Sequence, residues 1–109
     1  YKQKMRSNTK KVSQAVQKHI LDYYKEEGVE GFVHDIKAVK YGNMTDAEAI
    51  RAWVQCGMPL AYNEDIVNFL NGLGINPENK EYPIQQSIDL YYNLIVREGL
   101  KILNNFSNK

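Results

Sequence analysis

Glycine and proline residues divide this chain into five segments that each fit an α-helix. The divisions fall at Gly28, at Gly42, at residues 57–59, at residues 72–74 and just before Pro83. Glycine suits a helix end, and proline suits a first helical turn. Between the divisions, apolar residues recur every three or four positions, and no stretch alternates long enough for a strand. The pattern therefore predicts an all-α fold: a single compact bundle of about five helices with a long C-terminal helix.

The start of the third helix is the most clearly marked. Thr45 precedes it and Glu48 follows three residues later, which is the spacing of a capping box. The expected bounds of the five helices are about 8–27, 29–41, 46–56, 63–72 and 83–106. Gly28 is expected to end the first helix.

The fifth helix is apolar around more of its circumference than a surface helix needs. One apolar face comprises Ile84, Ile88, Tyr91, Ile95, Ile102 and Phe106. Leu90 and Leu94 lie well off that face. Either this is the central helix, packed by several others, or one side meets a partner. The candidate protein interface comprises Leu90, Leu94, Arg97 and Lys101.

Length and composition are those of one soluble domain, residues 1–109. The chain is 43% hydrophobic and 25% charged, which is enough apolar surface for one core. The single cysteine, Cys56, excludes an intrachain disulfide and fits a reducing, cytoplasmic setting. We expect it to be a small buried residue rather than a nucleophile. No apolar run is long enough to span a membrane.

Charge is distributed unevenly along the chain. Residues 1–21 carry six cations and no acid, whereas residues 22–109 carry eight cations and thirteen acids. Residues 1–8 are expected to form a basic N-terminal arm with freedom to move. The candidate nucleic-acid contacts are Lys2, Lys4, Arg6, Lys10, Lys11 and Lys18. The alternative interpretation is the solvated outer face of a surface helix.

Catalytic and metal-binding patterns are missing from the sequence. His34 and Asp35 are adjacent, as in metal-dependent phosphohydrolases, but His19 is the only other histidine. Such sites need further histidine and aspartate ligands. No nucleophile elbow and no phosphate-binding loop is present. We therefore expect no enzymatic activity, no cofactor and no metal.

Three stretches resemble a group of small helical proteins of phages and prophages. They are V-x-x-A-V-x-x-x-I-L at residues 12–21, F-x-x-D-I at residues 32–36 with a following glycine, and an aromatic-polar-acidic segment at residues 62–65. Residues 43–60 differ from that group's glycine-rich turn and tyrosine pair. The group has no established activity. The resemblance implies an accessory protein of a mobile element that binds other macromolecules.

Together these features favour a non-enzymatic binding protein. Its expected partner is another protein or a second copy of itself, as in a homodimer. The alternative partner is nucleic acid, bound through the basic N-terminal region.

Overall fold

The computed structural model describes residues 2–56, 60, 62–78 and 80–107, with side chains from residue 10 onward. Within these ranges the chain forms five α-helices, a short 3-10 helix and no strand. The helices are α1 Lys2–Asp22, α2 Gly28–Val39, α3 Asp46–Gln55, α4 Asn63–Gly72 and α5 Pro83–Ser107. The prediction of an all-α bundle with a long C-terminal helix is confirmed.

Both predicted bounds of the first helix are wrong. Helix α1 already begins at Lys2, so the backbone of the predicted arm continues the helix, and α1 ends at Asp22. A 3-10 helix, Lys25–Glu27, follows, and Lys25 adopts a left-handed φ of 52° that no α-helix allows. Gly28 therefore begins α2 instead of ending α1.

Tyr24 fixes this turn through contacts with two other helices. Its hydroxyl donates a hydrogen bond to Asp35 Oδ2 at 2.7 Å and accepts one from Trp53 Nε1 at 2.7 Å. Its ring also stacks on the Trp53 ring. These contacts hold Tyr24 against α2 and α3. Residues 23–27 have a helical pattern of apolar residues, but this tertiary packing prevents them from continuing α1.

The capping box at the start of α3 is present as predicted. The Glu48 N–H donates to Thr45 Oγ1 at 3.2 Å, and the Thr45 N–H donates to Glu48 Oε1 at 2.9 Å. Two backbone donors that no helical carbonyl can reach are thereby satisfied.

Helix α5 is the central helix, since it contacts α1, α2, α3 and α4. Tyr91, Ile95 and Ile102 on it are buried in the core. Ile84, predicted on the same face, is 55% exposed, so the buried face begins later along the helix. The rest of the core comes from Val16, Ile20, Phe32, Ile36, Ala49, Ile50, Trp53, Val54, Ile66 and Leu70.

Helices α1 and α5 pack in opposite directions. Ser13 and Gln17 contact Glu98, whereas His19, further along α1, contacts Tyr91, which comes earlier in α5. The N-terminal half of α1 therefore lies at the same end of the bundle as the C-terminal half of α5.

Candidate functional site

A fully buried carboxylate, Glu98, joins α1 to α5. It is 0% exposed, and both of its oxygens are hydrogen-bonded. Oε1 accepts from Ser13 Oγ at 2.6 Å and from Gln17 Nε2 at 2.9 Å. Oε2 accepts from Arg97 Nε at 2.9 Å and from Lys101 Nζ at 3.3 Å. The carboxylate is therefore satisfied on every side by this chain alone.

The environment keeps Glu98 ionised. Burial by itself raises the pKa of the carboxyl group, because it removes the charge from water. The hydrogen bonds from Gln17, Ser13, Arg97 and Lys101 outweigh burial and lower the pKa to about 2. Glu98 is thus ionised at pH 7, and it lies beside two cations, Arg97 and Lys101.

The structure separates the four residues of the predicted protein interface into two kinds. Leu90 and Leu94 are half-buried and pack against the core. The side chains of Arg97 and Lys101 are 50% and 51% exposed while they hold Glu98. Much of the surplus apolar surface that motivated the interface prediction is thus used inside the bundle.

The described cations of α1 point away from the core. Lys10, Lys11 and Lys18 are all exposed. Lys18 pairs with Asp22 at 2.6 Å. Lys10 lies three residues before Ser13, so it shares the side of α1 that faces Glu98. The side chains of the other three candidate contacts, Lys2, Lys4 and Arg6, lie outside the described residues.

These placements bring two separately predicted sets of cations to one side of the molecule. We name the surface formed by Lys10, Arg97 and Lys101 the basic face. Lys11 lies on another side of α1, near residues 72–75. In residues 2–21 there is no acid, and in residues 90–109 the single acid is Glu98. Because Glu98 is buried, it presents no carboxylate oxygen to a ligand at the surface. Three cations against one buried carboxylate leave the basic face with a net positive charge, which can attract an anion.

His19 is an internal packing residue. Its ring stacks on Phe69 with centroids 4.0 Å apart, and Nε2 lies 2.9 Å from the Tyr91 hydroxyl oxygen. Burial lowers the pKa of His19 to about 4, against the opposing effect of the Asp22 charge. The imidazole is therefore neutral at pH 7 and is held between α4 and α5.

The adjacent pair His34 and Asp35 does not form a metal centre with His19. His34 is exposed, and its Nδ1 lies 3.7 Å from Asp35 Oδ1. Asp35 already accepts the hydrogen bond from Tyr24. Across the described residues, no group of three or more His, Cys, Asp or Glu side chains is placed to hold a metal ion.

Cys56 is exposed, so the expectation that it is buried is wrong. It lies at the C-cap of α3, just beyond the buried Trp53 and Val54. Helical spacing from Trp53 would place position 56 on the inward side, but α3 ends at Gln55 and Cys56 lies beyond its last turn.

Glu98 and its partners were missed by sequence reasoning. The sequence does contain an indication that Glu98 is buried: a charged residue interrupts the apolar face of α5. Position 98 lies three residues after Ile95 and four before Ile102, so it falls on the buried stripe. A charged residue at such a position needs partners, and the sequence does not show that Ser13 and Gln17 supply them.

No family model, curated protein or solved structure matches this chain. The resemblance to phage proteins therefore remains a prediction. Among the helices that the structure describes, none combines the length and apolarity that crossing a bilayer requires.

Proposed function

We propose that this protein is a non-enzymatic module that binds nucleic acid through the basic face. The observation that supports this most strongly is the arrangement around Glu98. Cations from both ends of the sequence meet on the α1–α5 side, and the acid between these helices, Glu98, is buried. Lysine and arginine on such a surface can neutralise backbone phosphates and release their counterions.

Polar side chains beside the cations suit the same ligand. Gln14 is exposed on α1 one turn after Lys10 and Lys11. Asn104 and Asn105 are exposed on α5 one turn after Lys101. Amide groups can donate to phosphate oxygens and can also contact base edges.

The experiment is fluorescence anisotropy with labelled duplex DNA, single-stranded DNA and RNA, over a range of salt concentrations. If Lys10, Arg97 and Lys101 each neutralise one phosphate, log K should fall with log salt at a slope of about −2.7 on duplex DNA. Lys10→Glu should weaken binding and reduce the steepness of that slope by about 0.9.

Lys80→Glu is the matched control, since it makes the same charge change in the loop before α5, where Lys80 is exposed. It should leave the slope unchanged. Arg97 and Lys101 are less suitable for reversal because they also hold Glu98. If none of the three nucleic acids binds at low salt, or if both lysine variants weaken binding equally, the proposal fails.

A protein partner is the second candidate. It is favoured by exposed apolar side chains at the other end of α5, the largest of which are Tyr62, Tyr82 and Ile84.

A further inference from the structure

The exposed apolar residues of this protein are concentrated where α4 and α5 begin. Tyr62 is 73% exposed, Tyr82 is 60% exposed and Ile84 is 55% exposed. Ile84 lies against the first turns of α4, where it lines a cavity of about 260 Å³ with Asn63, Glu64, Val67 and Asn68. We name the surface of Tyr62, Val67, Tyr82 and Ile84 the apolar patch.

The surroundings of the apolar patch are acidic. Residues 62–89 contain five acids and one cation. Glu64 lines the cavity itself, and Asp65 is exposed beside it in the first turn of α4. A tyrosine-rich apolar centre with a charged rim is the usual composition of a protein interface. The negative charge of the rim favours a partner with a positively charged surface.

The apolar patch and the basic face cannot meet within one molecule. Ile84 and Arg97 lie thirteen positions apart on the same helix, a distance of about 20 Å. The protein therefore carries an acidic apolar surface towards one end of α5 and a basic surface towards the other.

We propose that the apolar patch binds the basic face of a second copy of this chain. Charge complementarity between the two surfaces supports this occupant. Two different surfaces make a heterologous, head-to-tail contact, which extends into chains or closes into a ring. The contact uses the same basic face as the proposed nucleic-acid binding but requires no nucleic acid, so a polyanion should compete with it.

Sedimentation velocity tests this from about 10 μM to about 1 mM, the range of weak association. The mass of the wild type should rise with concentration and fall back towards the monomer as salt is added. Ile84→Ser should weaken association roughly tenfold or more, because it removes the exposed apolar anchor. Tyr41→Ser is the matched control, since Tyr41 is 76% exposed outside the patch and should leave association unchanged.

Mixing two variants tests the head-to-tail arrangement directly. Ile84→Ser lacks the patch but keeps the basic face, whereas Lys10→Glu weakens the basic face but keeps the patch. Each should be monomeric alone, and the mixture should form a one-to-one heterodimer that cannot extend. Far-UV circular dichroism should show the same helix content for both variants.

Three results would overturn the inference: a monomeric wild type at every concentration and salt, association of unchanged strength in Lys10→Glu, or a mixture that stays monomeric. Nucleic-acid binding by Ile84→Ser separates the two proposals. That variant should bind labelled nucleic acid as the wild type does, whether or not self-association is observed.

Discussion

Replacing Glu98 by glutamine removes the charge of the buried carboxylate while keeping its shape. The amide oxygen can still accept from Ser13 and Gln17. The amide nitrogen, however, would face the donors of Arg97 and Lys101. A hydrogen bond to a charged group contributes about 1.5 to 3 kcal/mol, and water can replace part of that for half-exposed side chains. We expect Glu98→Gln to lower the free energy of unfolding by about 3 kcal/mol at pH 7.

The same effect should be visible as a pH dependence. The pKa of Glu98 is lowered from 4.5 to about 2, so the unfolded chain takes up this proton more readily than the folded chain. The stability contributed by the charge is complete above pH 4.5 and is lost as the pH falls towards 2. This lowering of the Glu98 pKa limits its contribution to the free energy of unfolding to about 3 kcal/mol.

Urea denaturation followed by circular dichroism at pH 7 and pH 3 measures both effects. The difference between wild type and Glu98→Gln should be large at pH 7 and should shrink at pH 3. Glu26→Gln is the control, because Glu26 is exposed and should change stability by less than about 0.5 kcal/mol. If Glu98→Gln unfolds within about 0.5 kcal/mol of the wild type at pH 7, the charge does not hold the two helices together.

Four further predictions concern the core and the ends of two helices. The lowered pKa of His19 means that stability should fall as the pH drops from 6.5 to about 4, and thermal melts of His19→Gln should show less of that fall. A Cβ at Gly99 would lie 3.0 Å from Ile50 Cδ1 and 3.1 Å from Phe32 Cζ, so Gly99→Ala should destabilise by about 1 to 3 kcal/mol in urea. A Cβ at Gly72 meets nothing within 4 Å, so Gly72→Ala should leave stability equal or raise it by up to about 1 kcal/mol. Thr45→Ala should cost about 1 kcal/mol through the lost cap, and an unchanged melting temperature would contradict the role of that cap.

Features set by neighbouring residues were predictable from the sequence. The capping box at Thr45 and the start of α5 at Pro83 depend on side chains within one helical turn. The exposure of Lys11 and Lys18 followed from the helical period of the apolar residues between them. Each of these needs only local geometry, and each agrees with the structure.

Features set by distant residues were not predictable. Helix α1 ends early because Tyr24 contacts Asp35 and Trp53, which belong to other helices. Glu98 is buried because Ser13 and Gln17 meet it across 85 and 81 residues of sequence. The same long-range pairing places Arg97 and Lys101 on the side of α1 that carries Lys10. The sequence alone left these cations as two separate candidate sites.

The central position of α5 has a consequence for synthesis of the protein. The ribosome releases α1 to α4 first, yet each of them packs against the helix that is made last. At about 5 to 20 residues per second, their apolar faces wait several seconds for that helix to emerge. The core is therefore completed only after α5 has emerged, and until then the faces of α1 to α4 that pack on it stay exposed.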